Sequence, residues 1–288
     1  MSDASELTGE VVASFDATQD DRLKFVMRSL IKHLHGFVTE VAPNQAEWQA
    51  GVDFLTAVGQ KCDETRQEYG LLSDVLGVTM LVDDLLHTGH SNATVSTVLG
   101  PFHVVASPER AIGDDIATEL PGQRCVVRGT VRSVDGTPLP GATIDVWQAS
   151  ADGSYDVQVP DEMPIGTLRG LFHADEDGGY WFLTVPPSHY SIPDDGPVGE
   201  LLKATGRHPW RPAHIHFIAA SPGFEAVTTH AFLANSPYLD SDAVFGVRES
   251  LIRTIEVIDD RQTAASYGVA SPYQLIEFDI TLSPTGNG

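Results

Sequence analysis

The chain has 288 residues, 42% hydrophobic and 20% charged, the balance of an ordinary globular protein with room for one large domain or two smaller ones. Its 40 Asp and Glu against 17 Lys and Arg give a formal net charge of −23, which opposes nucleic-acid binding and docking on anionic membranes, since both need basic surface. Two cysteines, Cys62 and Cys125, allow no disulfide framework and no Cys-based zinc site, and fit a reducing compartment.

The opening stretch MSDASELTGE is acidic and polar, unlike a signal peptide. No apolar run approaches the roughly 18 residues of a membrane span. A cytoplasmic protein without membrane insertion is expected. Between Asp20 and Val41, apolar residues fall at Leu23, Val26, Met27, Leu30, Ile31, Leu34, Phe37, Val38 and Val41, one stripe of a helix. Pro43 and Asn44 end that pattern and start the next, carried by Trp48, Val52, Leu55 and Val58. A third stripe, Leu71, Val75, Val78, Leu81 and Leu85, predicts one further helix, stopped by His-Thr-Gly at 87–89 with Gly89 as its cap.

After Pro101 the texture changes to short alternating runs separated by Gly, Pro and Asp. VVRGTVRSVDGTPLPGATIDVWQA predicts two strands around the turn DGTPLPG. GYWFLTV, PAHIHFIAA, AVTTHAFLA and QLIEFDITL predict four more. Short strands with regular turns point to an antiparallel β-sandwich or barrel. The expected class is α+β: a helical N-terminal domain over 1–105, then a β-sandwich domain over 106–288.

Among 11 histidines, two pairs have the spacing His-x-His. His33 and His35 fall in a helical pattern, where residues two apart diverge by roughly 200° and do not share a metal. His214 and His216 fall in the strand PAHIHF, where residues two apart share a face opposite Ile215 and Phe217. That face presents either two metal-binding imidazoles or a hydrogen-bonded core pair. Tyr155 in DGSYD and Tyr190 in HYSIPDDGP each follow a predicted strand. A tyrosine in such a place is ordinarily a packing residue, yet phenolate is also a hard anionic oxygen suited to Fe(III).

Taken together, DVWQASADGSYD, PSHYSIPDDGP and RPAHIHF resemble the signature of the intradiol ring-cleaving dioxygenases, and the likeness extends over nearly the whole chain. The resemblance implies one Fe(III) per subunit held by Tyr155, Tyr190, His214 and His216, with Arg211 stabilising negative charge on the substrate. Two tyrosinates and a hydroxide would balance the ferric charge, which makes the assembly easier to bury. Tyr190 would be the ligand that leaves and Tyr155 the one that stays. The stretch THAFLANSPYLDSDAVFGVRESLI is similar to hydroxyquinol 1,2-dioxygenases, and His230 stands where catechol-specific relatives usually carry Gln.

Further matches to pocket positions are Leu71, Asp74, Val98, Leu99, Gly100, Pro101, Phe102, Ile192, Pro193 and Val244. Each has a plainer role: Leu71 and Val244 as core, Asp74 as a solvated helix residue, Gly100 and Pro101 as a turn. The implied reaction joins O2 to hydroxyquinol, benzene-1,2,4-triol, giving 3-hydroxy-cis,cis-muconate, the enol form of maleylacetate. The implied assembly is a homodimer through the N-terminal helices, with room for a bound phospholipid. The competing readings are a catechol or chlorocatechol 1,2-dioxygenase, a non-catalytic β-sandwich binding module and, more remotely, a zinc hydrolase.

Overall fold

The computed structural model of the chain describes residues 4–64, 66–86 and 92–286. The chain divides into two compact units, Met1–Ala57 and Val58–Gly288. The first holds α1 (Ala4–Ala13), α2 (Asp21–Val41) and most of α3 (Gln45–Lys61). The α2 and α3 stripes form as the periodicity predicts, whereas α1 lies outside any predicted stripe. Asp20 caps α2 by accepting the Leu23 N–H at 2.9 Å. Ala42, at φ 47°, ends that helix in the left-handed region just before Pro43. Asn44 caps α3, accepting from Ala46 and Glu47, while the Glu47 carboxylate accepts the Asn44 N–H, a reciprocal capping box. The His33/His35 pair lies on α2 as expected, and His35 Nδ1 meets Thr8 Oγ1 at 2.9 Å.

In the second unit the third stripe is two helices, α4 (Glu68–Val75) and α5 (Val78–Leu86). Gly77 adopts φ +70°, which breaks the helix between them. Leu71 and Val75 are buried, whereas Leu81 and Leu85 are exposed, so the two segments present different faces. The predicted cap at Gly89 lies outside the described residues.

The strands are β1 (Cys125–Ser133), β2 (Thr143–Gln148), β3 (Arg169–His173), β4 (Gly179–Thr184), β5 (Tyr190–Ser191), β6 (Trp210–Arg211), β7 (His214–Ala220), β8 (Val227–Leu233), β9 (Ile252–Arg253), β10 (Glu256–Ile258), β11 (Tyr273–Glu277) and β12 (Ile280–Leu282). Helices α6 (Pro197–Ala204) and α7 (Arg261–Ser266) connect them. One sheet runs β10-β11-β1-β12 with β4 also on β1, and a second runs β3-β2-β7-β8-β9. The all-antiparallel expectation is corrected here: β1 pairs parallel with β11 and β12, and β8 with β9.

QLIEFDITL is likewise two strands. The Phe278 carbonyl crosses so close over β1 that a Cβ on Gly129 would lie 1.9 Å from it. Asp279 replaces the lost ladder bond, accepting the Thr130 N–H at 2.8 Å. Between the sheets, Val127, Ile144, Phe172, Phe182, Ile215, Phe217, Ile276 and Phe278 form one buried core. Each such side chain contributes about 1.5–3 kcal/mol. Packing Ile215 and Phe217 inward leaves His214 and His216 on the other face of β7.

Candidate metal centre and active site

The site is assembled from four segments. Strand β7 supplies His214 and His216, held from both sides: β2 sets Trp147 opposite His216, and β8 sets His230 opposite it. The Trp147 ring stacks on His216 at 4.5 Å and 13°. The His214 Nδ1 lies 2.7 Å from the Pro212 carbonyl. A carbonyl only accepts, so Nδ1 carries the proton and Nε2 presents its lone pair to the site.

The short β5–β6 ladder pairs Tyr190 directly with Arg211. Tyr155 follows β2 through a tight turn in which Gly153, at φ +82°, passes so close to His189 that a Cβ would lie 2.7 Å from its carbonyl oxygen. The next residue, Asp156, forms a buried pair with Arg169 and accepts the N–H groups of Val157 and Gly166, which fixes the Tyr155 backbone.

The polar atoms of these segments converge. Tyr155 Oη is 3.0 Å from His216 Nε2, and His214 Nε2 is 3.1 Å from the same atom. Arg211 Nη1 donates to Tyr190 Oη at 3.3 Å and lies 3.4 Å from His214 Nε2. The two tyrosine rings stand 5.2 Å apart and nearly perpendicular. All five residues are buried.

Burial, then the neighbouring Tyr190, holds the Tyr155 phenol well above its usual range, and a bound cation would favour its ionised form. Burial, then Arg211, holds His214 neutral; burial, then the other imidazoles, does the same for His216. Two phenols and two neutral imidazoles with converging donor atoms suit a hard trivalent ion such as iron(III), with no thiolate or carboxylate among them.

Phe102 stacks on Tyr155 at 4.6 Å and meets Tyr190 edge-on at 6.1 Å, forming one wall. Gly100 passes so close to His216 that a Cβ would lie 3.2 Å from its Cε1, at a φ of +76° that favours glycine. A cavity of about 380 Å³ brings together Leu71, Asp74, Leu99, Gly100 and Pro101 with Gln67, Gly70 and Thr79. Leu99 and Pro101 lie exposed at its rim, while Val98, Ile192 and Val244 are buried and Pro193 is half-buried. Burial pushes the Asp74 carboxyl up, with Thr79 and Arg211 opposing and Asp242 reinforcing the shift.

Three residues escaped the sequence reading. Asp242 grips Arg211, with Nε–Oδ1 3.0 Å and Nη2–Oδ2 3.2 Å. Arg169 anchors Asp156 behind Tyr155. Trp147 roofs His216. The partners lie 31, 13 and 69 positions apart, and only the alternation of DVW with HIHF hinted at the last.

Two family models match the chain: "Dioxygenase" over residues 102–284 and "Catechol dioxygenase N terminus" over residues 20–94. The chain belongs to the intradiol ring-cleaving dioxygenases, and is an enzyme of that class. It is 48% identical over 283 residues to a 6-chlorohydroxyquinol 1,2-dioxygenase of Cupriavidus pinatubonensis, covering 98% of each chain. It is 48% identical over 261 residues to a hydroxyquinol 1,2-dioxygenase of a Rhizobium species, covering 91% of this chain and 88% of that one. The crystal structure of a hydroxyquinol 1,2-dioxygenase from Pseudomonas putida superposes with a TM-score of 0.92 at 44% identity, covering 98% of this chain and 99% of that one.

Proposed function

We propose that this enzyme opens the ring of hydroxyquinol between its adjacent hydroxylated carbons, using O2 and one iron(III) per subunit held by Tyr155, Tyr190, His214 and His216. The product is 3-hydroxy-cis,cis-muconate, the enol of maleylacetate. The observation that carries the reading is the convergence of Tyr155 Oη and His214 Nε2 on His216 Nε2, at 3.0 and 3.1 Å, with Arg211 on Tyr190. The likeness to enzymes named for hydroxyquinol and chlorohydroxyquinol supports the substrate.

An iron(III) held by Tyr155, Tyr190, His214 and His216 would supply Lewis acidity toward a catechol-type ring. The chain's own groups do the rest. Tyr190, ionised when the ion is bound, would take up one proton of the incoming diol on Oη as its phenolate becomes a phenol. Arg211, held by Asp242, keeps its Nη1 aimed at that oxygen and stabilises negative charge developing beside it. Phe102, Ile192 and Val244, all buried, exclude water from the ring. Leu71, Val98, Leu99, Gly100, Pro101, Pro193 and His230 complete the substrate surface. Asp74, at the cavity wall, accepts a hydrogen bond from the third hydroxyl. Catechol lacks that hydroxyl and leaves Asp74 without this hydrogen bond.

The same proposal assigns residues 1–105 to a helical domain and 106–288 to the catalytic domain. It makes the enzyme a cytoplasmic homodimer joined through the helices, with a bound phospholipid among them. Phe25 at 63% and Phe37 at 60% exposure on α2 support a partner surface there. Among the described residues, no helix is long and apolar enough to cross a membrane.

The test is oxygen uptake by the iron-loaded protein with hydroxyquinol and with catechol. A higher kcat/KM for hydroxyquinol is expected; a preference for catechol removes the substrate assignment.

A further inference from the structure

Beside the two metal-binding histidines proposed above stands a third imidazole. His230 faces His216 across the β7–β8 ladder, with ring centroids 4.2 Å apart, and lies 4.5 Å from His214. One ring nitrogen from each of the three lies within 4.8 Å of the other two. His230 is fully buried, and neither of its nitrogens makes a hydrogen bond of ordinary geometry; the Val98 backbone is the polar group beside the ring. Buried polar groups are nearly always partnered, and a ring with only the Val98 backbone beside one nitrogen keeps the other nitrogen available for a ligand.

The donors thus divide by chemistry. Tyr155 and Tyr190 offer hard anionic oxygens, which need a strongly charged ion to ionise them. The three histidines offer borderline nitrogen ligands, which cobalt(II), copper(II) and zinc(II) favour over phenols. Metal–nitrogen bonds of about 2.0–2.1 Å in a tetrahedral site set nitrogens ~3.4 Å apart, so His230 closes by at most ~1.4 Å. Asp242 neutralises Arg211, the cation nearest to His214.

We propose that the chain has a second coordination mode, in which a divalent transition-metal ion is held by His214, His216 and His230 while both tyrosines stay unbound. Because His214 and His216 belong to both sets, the two modes exclude each other. A divalent ion so held blocks the ferric one and lacks the tyrosinate ligands. His230 therefore makes this site selective by ion charge: a trivalent ion recruits the phenolates, a divalent ion the third imidazole. The inference shares two histidines with the ferric reading but does not depend on its substrate.

The test titrates the metal-free full-length protein with cobalt(II), read by the visible d–d bands that report nitrogen number and geometry. Wild type should show a tetrahedral spectrum with three nitrogens. His230→Gln should weaken cobalt(II) binding by about a hundredfold, at or above the ~10–100-fold cost of losing a mere outer partner, and still take up iron(III) with tyrosinate colour. The Tyr155→Phe/Tyr190→Phe double variant should lose ferric colour and keep wild-type cobalt(II) affinity. Circular dichroism verifies folding, and His230→Ala repeats the measurement should the Gln variant unfold. Unchanged cobalt(II) affinity in a folded His230 variant overturns the proposal, as does loss of cobalt(II) binding with the tyrosines. A wild type that shows no ferric colour but binds cobalt(II) through His230 would overturn the ferric reading and leave this one standing.

Discussion

Arg211 and Asp242 meet as a two-pronged ion pair, both side chains only 2% exposed, and Asp242 also accepts the N–H of Gly246 at 3.0 Å. One carboxylate thereby orients the guanidinium toward Tyr190 and pins the loop that carries Val244. Removing one partner strands the other as a buried charge. Asp242→Ala should lower unfolding stability by about 3–5 kcal/mol. Denaturant unfolding measures this, and a loss below about 1 kcal/mol would show that the pair is not buried as described. Arg211→Ala should reduce kcat by roughly 10²–10³-fold, the cost of losing one aimed charge-stabilising donor.

The iron-loaded protein should be red to purple from tyrosinate-to-iron(III) charge transfer, because the donor set pairs Tyr155 and Tyr190 with His214 and His216. The His214→Ala/His216→Ala variant should lose its iron. Elemental analysis with visible absorption checks both; zinc without a visible band in wild type, or full iron content in the double variant, would contradict the ligand set.

Asp74 is proposed to set the substrate preference. Hydrogen bonds to a charged partner are worth about 1.5–3 kcal/mol, roughly 10- to 100-fold in rate constants. Asp74→Ala should narrow the hydroxyquinol-to-catechol ratio of kcat/KM by about that factor. Equal losses for both substrates would assign Asp74 a structural role instead.

Acid should weaken a second contact, far from the chemistry. Asp195 accepts from Arg66 and, at 3.0 Å, from Lys61, and these hydrogen bonds hold its carboxyl down at about 2 against an ordinary 3.8. A depressed carboxylate stabilises the fold above its unfolded value and loses that contribution as pH falls through the folded one. The Tm difference between wild type and Asp195→Asn should therefore be full above about pH 4 and vanish towards pH 2. Because Asp195 is largely exposed, the difference should also shrink in high salt. A difference independent of pH across that window would refute the assignment.

Some of this architecture was legible in the residues and some was not. The alternation in PAHIHF told which face of β7 carries imidazoles, since a period of two leaves no choice. The α2 stripe was equally plain, because it is local, whereas its Asp20 cap emerged only from the structure. The break at Gly77 was hidden, as apolar spacing continues across it while only the backbone reverses. Parallel pairing of β1 with β11 and β12 joins residues some 150 positions apart, and no local pattern encodes such a partner. Asp242 and Arg169 stayed unnoticed for the same reason: their meaning lies in a partner that only folding supplies. The antiparallel expectation failed because alternation reveals a face of a strand and says nothing of its direction.

The most direct measurement of the central claim is the mass of the product formed from hydroxyquinol under ¹⁸O2. Intradiol cleavage by a dioxygenase predicts 3-hydroxy-cis,cis-muconate, or its maleylacetate form, carrying both labelled atoms in its new carboxyl groups. A ring opened outside the two hydroxyls, or a product without label, would contradict it.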